Sequence, residues 1–385
     1  MAKKVRLAYA AAALIPLAVA AGCSSSSSSS ASSGSSSAPS SSPVAETGPA
    51  LPTAPASSST SLTETGSTLL FPLMGTWSTA YTKQYPQVKM TTAGTGSGTG
   101  ITDAATGTVN IGASDAYLSS AEKTQYPTLL NIPLAISSQE ISFNVPGVKS
   151  LKLDGTVLAD IYTGKITNWN DSAIAALNPG VSLPNLKIVP LRRLDSSGDT
   201  FIYTTYLNDQ DPGTWPASDV GTTVSWPAVT GELSETGNGG MVSGCGATKG
   251  CIAYIGISYE SQTEAAGLGQ AKIKDGAGNF VSPTATTIAA EAAAFISKTP
   301  ADETISLENG NVANGYPIVN YEYAVVSARQ PSAAKAQALR AFLDWAVTSG
   351  SAAAYLGPVR FRPLPPDAVS LSEAQIAKIS STGRN

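Results

Sequence analysis

Arg192-Arg193-Leu194-Asp195-Ser196-Ser197-Gly198-Asp199-Thr200-Phe201 is the stretch around which the rest of the chain is read. It gathers two guanidinium groups, three hydroxyls, a glycine and two carboxylates into a turn after the extended run Ile188-Val189-Pro190-Leu191. Phe201, Ile202, Thr205 and Tyr206 then recur at helical spacing, which predicts a helix with residues 197–200 at its N-terminus. Free N–H groups and the positive end of the helix dipole face outward there, an anion site in outline. An ordinary capped helix with a surface arginine explains the same residues taken alone. The assignment therefore depends on whether other segments converge on this turn.

Two earlier segments have the same form. Ser67, Thr68 and Leu69 stand just before Phe71-Pro72, and Leu73, Trp77, Ala80 and Tyr81 repeat at helical spacing until Pro86, so a helix is expected to begin at that proline. A strand over 88–93 leads into Gly94-Thr95-Gly96-Ser97-Gly98-Thr99-Gly100, and Ile101, Ala104 and Ala105 predict a second helix. Another strand, 109–113, ends at Ser114-Asp115. Strands alternating with helices predict a parallel or mixed α/β sheet with ligand sites beyond the strand ends. The glycine loop matches no nucleotide or hydrolase motif. G-x-G-x-x-G fails at Thr99, a G-x-S-x-G elbow fails at Thr95 and Thr99, and around Lys165 a P-loop fails at Ala159 and Ile166. What remains is backbone room for a ligand and the Ser97 hydroxyl, or a plain surface loop.

Further on, residues 130–136 and 141–145 read as two strands, and Asn170 or Asp171 caps a short helix that Pro179-Gly180 stops, with Trp169 a packing anchor. Residues 213–250, rich in Gly, Thr and Pro, are assigned no regular element. Strands are expected over 251–256 and 319–326. Leu339, Phe342, Leu343, Ala346 and Val347 form the apolar stripe of a helix, with Gly350 just past its end. These last two elements read as a return to the first domain's sheet.

The bulk composition narrows the chemistry. The 385 residues carry a formal charge of -4 with 13% charged residues, so no basic surface is available to nucleic acid. The chain has 0 histidines, which removes the usual general base, zinc ligand and Ser-His-Asp triad; no metal or cofactor is expected. Lys3, Lys4 and Arg6 precede an apolar run over 7–21 and Gly22-Cys23, the pattern of an export signal. Its ending resembles the bacterial lipoprotein signal, in which the cysteine is lipidated; Ala20 departs from the usual Leu, and a plain signal peptide is the alternative. Residues 24–60 are almost entirely Ser, Ala, Pro, Gly and Thr, a tether whose reach as a flexible coil is on the order of 35 Å. Cys245 and Cys251 flank Gly-Ala-Thr-Lys-Gly, and on an exported chain a disulfide is the expected reading.

Taken together, Gly66-Ser67-Thr68 before an aromatic-Pro pair, Gly96-Ser97-Gly98, Gly112-Ala113-Ser114-Asp115, the 164–179 segment and Arg193-x-Asp195-x-Ser197-Gly198 resemble the phosphate-binding subunit of bacterial phosphate ABC importers. That family is of the periplasmic-binding-protein class, here in its lipid-anchored form, and the resemblance covers the chain from about residue 64 to its end. It implies a two-domain α/β fold with a ligand cleft between domains joined by crossover strands: residues 61–144 and 317–385 in one domain, 145–316 in the other, after a signal at 1–23 and the tether at 24–60. It implies phosphate contacts from Thr68, the N–H of Leu69, Ser97, Asp115, Arg193, Ser197 and the N–H of Gly198, with Ser67 added by adjacency. Asp195 would orient Arg193 by an ion pair. Asp199, where many relatives have Thr, is expected to be a second acceptor for a phosphate proton. The implied protein is a monomeric, extracytoplasmic binder held to the membrane by lipid on Cys23. It would deliver phosphate to a membrane permease and would not be an enzyme. The competing readings are another tetrahedral oxyanion, a surface adhesion module, and a phosphoester hydrolase using Ser97 or Ser197.

Overall fold

A computed structural model of the chain describes residues 58–382 and Pro55; the expected signal, Cys23 and nearly all of the tether lie outside the described residues. The strands are β1 (Thr60–Gly66), β2 (Val88–Thr91), β3 (Ile111–Ser114), β4 (Leu129–Phe143), β5 (Ser150–Leu153), β6 (Val189–Arg193), β7 (Leu233–Glu235), β8 (Cys251–Gly256), β9 (Gly269–Lys274), β10 (Phe280–Val281), β11 (Val319–Ser327), β12 (Arg329–Gln330) and β13 (Ser380–Ser381). The helices are α1 (Phe71–Gln84), α2 (Ser97–Thr106), α3 (Ser120–Gln125), α4 (Gly155–Tyr162), α5 (Ser172–Leu177), α6 (Gly198–Gln210), α7 (Gly237–Ala247), α8 (Glu260–Ala265), α9 (Ala285–Ile296), α10 (Ala333–Val347), α11 (Ala353–Leu356) and α12 (Pro366–Ile376).

An 11-stranded mixed sheet runs in the order β2-β1-β3-β11-β4-β8-β6-β7, with β9 joining β4, β5 and β10. β1 lies parallel between β2 and β3, and β11 runs antiparallel to β3 and β4. β4 carries the sheet from one half to the other. Its first part pairs with β11 up to Ser138, and from Gln139 to Phe143 it pairs with β8, beside which β6 and β7 lie parallel.

This is the first correction to the sequence reading. The polar run Ser137-Ser138-Gln139-Glu140 looked like a break between two strands, yet 129–143 is one strand and those four residues are buried. Polar groups are tolerated in a buried strand when side chains answer them. Ser137 donates to Glu322 Oε1 at 2.5 Å, and Glu140 accepts from Thr263 at 2.6 Å.

The second correction concerns 213–250, which holds β7 and α7. Gly237-Asn238-Gly239-Gly240 has the lowest helix propensity short of proline, which hid the helix. Further along α7, a Cβ at Gly244 would come within 2.8 Å of the Glu235 side chain, so glycine there lets α7 lie close to β7 without displacing it. Cys245 in α7 and Cys251 opening β8 are joined by a disulfide with a Cα separation of 5.3 Å.

Each half has its own aromatic core. Trp77 and Tyr81 of α1 meet Phe342 and Trp345 of α10 with ring centroids 5.1–6.5 Å apart, mostly edge to face. In the other half Tyr203 stacks on Tyr254 at 4.5 Å, with Tyr162 and Trp226 around them. Trp169 is fully buried against Phe143, as a packing anchor should be. No helix among the described residues is long and apolar enough to cross a membrane.

Candidate functional site

Four strands of the sheet, β1, β2, β3 and β6, end at one place, and three of them, β1, β2 and β6, lead by a short turn into a helix. β1 ends at Gly66, whose φ is +140° and where a Cβ would fall 2.0 Å from the Ala113 carbonyl oxygen, which excludes any side chain. The turn lets Ser67 N donate to Ala113 O at 2.8 Å, and Ser67-Thr68-Leu69 then lead into α1. Gly96, at φ +97°, turns the chain into α2, which Ser97 opens. Asp115 is the residue after β3. From the other half, β6 ends at Arg193, and its turn is closed by Ser197, which caps α6 by accepting from Thr200 N at 3.4 Å.

These segments touch. Ser67 donates its hydroxyl to Asp115 Oδ1 and accepts from Leu70 N at 2.9 Å. Ser97 donates to Asp115 Oδ2 at 3.2 Å and accepts from Asp115 N at 3.2 Å. Gly198 presses on this pair from the opposite half: a Cβ there would lie 2.5 Å from Ser97 Oγ and 2.6 Å from Asp115 Oδ2. Arg193 is the hub. Its Nε donates to Asp195 Oδ1 at 2.8 Å, Nη1 to Asp199 Oδ2 at 2.5 Å, and Nη2 to Thr68 Oγ1 at 3.2 Å and to Asp195 Oδ2. Planar bidentate pairing of this kind is what a guanidinium provides and an ammonium does not. Leu69 packs its side chain on Gly256 and receives Ser258 Oγ on its carbonyl at 2.7 Å.

The electrostatics follow from burial. Burial pushes the Asp115 carboxyl from its ordinary 3.8 up to about 7, and the charge of Asp199 adds to this; hydrogen bonds from Glu322 and Ser67 and the charge of Arg193 hold it from going higher. Burial alone would lower Arg193, but the carboxylates of Asp199 and Asp195 outweigh it and keep the guanidinium charged. Asp195 goes the other way: burial would raise it, yet the Arg193 fork and the Gly237 N–H hold it below the usual carboxylate range.

All nine expected site residues, Ser67, Thr68, Leu69, Ser97, Asp115, Arg193, Ser197, Gly198 and Asp199, are buried around this junction. Their parts differ: Ser197 Oγ accepts the capping bond of α6, which leaves its O–H to donate. Three participants went unread. Asn238 at the start of α7 donates to Thr68 Oγ1 at 3.0 Å and to Asp199 Oδ2 at 2.8 Å, and accepts from Gly256 N at 2.8 Å. Gln139 donates to Asp199 O at 2.7 Å and Oδ1 at 3.0 Å. Glu322 of β11 is a buried carboxyl that acts electrostatically on Asp115. Asn238 could have been found from Met241, Val242 and Cys245 at helical spacing behind it; Gln139 and Glu322 carry no local signal. Among the described residues no cluster of three or more His, Cys, Asp or Glu could hold a metal ion.

The PBP superfamily domain model matches residues 51–349. The chain is 31% identical over 325 residues to the phosphate-binding protein PstS of Xylella fastidiosa, covering 84% of this chain and 86% of that one. It is 31% identical over 327 residues to PstS of Haemophilus influenzae, covering 84% and 95%. Its fold is similar to that of a phosphate-binding protein from Stenotrophomonas maltophilia, with a TM-score of 0.63 at 24% identity over 82% of this chain and 93% of that one. By these likenesses the chain belongs to the PstS phosphate-binding proteins of the PBP superfamily.

Proposed function

We propose that this protein captures inorganic phosphate outside the cytoplasm and delivers it to the membrane permease of an ABC importer. The observation that carries the reading is the meeting of a buried acceptor, Asp115, with a buried guanidinium, Arg193, and the N-terminus of α6 at Gly198. Arg193, the amides of Leu69 and Gly198, and the hydroxyls of Thr68, Ser97 and Ser197 neutralise the oxyanion, with Ser67 holding Asp115. Phosphate near neutrality keeps at least one proton for Asp115 or Asp199 to accept. Sulfate has none and meets both carboxylates as like charges, so a second tetrahedral oxyanion is disfavoured.

The halves of the sheet act as two domains, 61–144 with 317–385 and 145–316, and closure of one on the other signals occupancy to the permease. Cys23 anchors the monomer by lipid, and the site binds without turnover. Titration calorimetry with phosphate, sulfate and arsenate tests the reading: phosphate is expected to bind and sulfate to fail at equal concentration, whereas equal binding of both would overturn it. A chromogenic phosphoester left unhydrolysed tests the absence of turnover, and labelled palmitate, incorporated by the wild type and lost in Cys23→Ala, tests the anchor.

A further inference from the structure

A second carboxyl stands behind Asp115. β11 runs antiparallel to β3 with Ala324 opposite Ala113 and Tyr323 opposite Ser114, so one more step of the same register sets Glu322 across from Asp115. The two buried carboxyls act on each other electrostatically. Immediately beside Glu322 the β11–β4 register slips: Glu322 pairs with Ala135 and Tyr323 with Pro133, leaving Leu134 as the extra residue of a bulge next to a proline that has no N–H to give the ladder. Bulges beside sites re-aim side chains.

Glu322 is 0% exposed. Its Oε1 accepts from Ser137 Oγ at 2.5 Å and Asn320 Nδ2 at 3.0 Å, while Oε2 receives no donor. No Lys or Arg among the described residues pairs with it. The charged groups facing the Asp115–Glu322 pair are Arg193 from β6, already bonded to two carboxylates, and Asp199 from α6, which opposes a further negative charge. Two carboxyls directly opposite in a dry sheet do not both ionise. Asp115 has two serine hydroxyls and the nearer guanidinium, so the negative charge resides there and the proton on Glu322 Oε2. Burial and the charge of Asp115 push Glu322 well above the usual carboxylate range, in keeping with this assignment.

We propose that Glu322 is a positioning residue for oxyanion selection: a neutral acid whose Oε2–H donates to Asp115, so that the member of the pair facing the ligand is the ionised one. The inference rests on the phosphate-binding reading of the site. It makes Asp115 an acceptor that demands a proton from the ligand, and it sets the pH at which that demand begins.

The test compares Glu322→Gln, whose amide N–H supplies the same neutral donor while its carbonyl keeps Ser137 and Asn320, with Glu322→Leu, which supplies none. Phosphate and sulfate affinities are measured by calorimetry from pH 5.5 to 9. In the wild type the phosphate-over-sulfate ratio is expected to rise as pH passes through about 7, where Asp115 ionises. Glu322→Gln follows the same curve. In Glu322→Leu the rise moves up by about one pH unit and the ratio at pH 7 falls about tenfold. A merely structural Glu322 would change both affinities together and leave the pH of the rise in place, which would overturn the proposal, as would Gln behaving like Leu. An infrared difference spectrum of wild type minus Glu322→Gln, which needs no Leu variant to fold, is expected to show a protonated carboxylic band at neutral pH; its absence also refutes the assignment. Failure of the wild type to bind phosphate would instead overturn the functional reading itself.

Discussion

Replacing Asp115 by Asn separates affinity from selectivity. The side chain is buried and held by Ser67 and Ser97, so the isosteric amide stays in place: its carbonyl takes the Ser67 hydroxyl, and its N–H can donate to Ser97 Oγ. Phosphate loses one charge-assisted hydrogen bond, worth about 1.5–3 kcal/mol, or about 10- to 100-fold in Kd. Sulfate gains, because a buried like charge about 4 Å away costs it up to ~4 kcal/mol at an effective dielectric constant near 20. Both changes push the phosphate-over-sulfate ratio down, by about 100-fold or more. The assay is competition of sulfate against labelled phosphate at pH 8, above the value of about 7 to which Asp115 is raised, so the wild-type acceptor is ionised. A ratio within about threefold of wild type, with both affinities changed alike, would refute the role of Asp115 as the proton-reading group.

Other outcomes follow from the same geometry. Arg193→Lys keeps the charge but cannot reach Asp195, Asp199 and Thr68 together; it should lower stability by about 2–4 kcal/mol in urea unfolding and weaken phosphate by about 100-fold or more in calorimetry. Gly198→Ala places a methyl 2.5 Å from Ser97 Oγ and 2.6 Å from Asp115 Oδ2, so α6 must back away, costing about 1–3 kcal/mol and most of the binding. Burial pushes Glu64 from 4.5 to about 8, opposed only in part by the Ala93 backbone, and Glu303 to about 9. Because these folded values lie above the unfolded ones, the stability they contribute is complete below about pH 4.5 and is lost as pH rises through 8–9. The melting temperature should therefore fall between pH 5 and pH 9, and Glu64→Gln should flatten that slope.

Much of the junction was legible because it is built from local devices. Ser67-Thr68-Leu69, the glycine loop at Ser97 and the turn from Arg193 to Gly198 each place donors next to a helix start, and that adjacency survives in any fold containing the helices. Asp115 stood at a strand end for the same reason. What stayed hidden depends on pairing between distant strands. Glu322 lies in a stretch that reads as an ordinary strand, and only the β3–β11 register makes it Asp115's neighbour. Gln139 sat in a polar run that looked like a break. Asn238 was masked by glycines whose poor helix propensity is outweighed by the close approach of α7 to β7.

Gln139 has a further consequence. It is the first residue of β4 to leave β11 for β8, its N–H holds Ile318 O just ahead of β11 at 3.1 Å, and its amide grips Asp199. One residue thus ties the crossover between the two halves of the sheet, through its backbone, to the first turn of α6, through its side chain. Under the proposed closure, a ligand that re-seats Asp199 would act directly on the strand position where the sheet passes from one half to the other, so occupancy and angle would be linked through a single residue. Shortening that arm in Gln139→Ala would uncouple the crossover from the first turn of α6 while leaving its backbone bond to Ile318 in place.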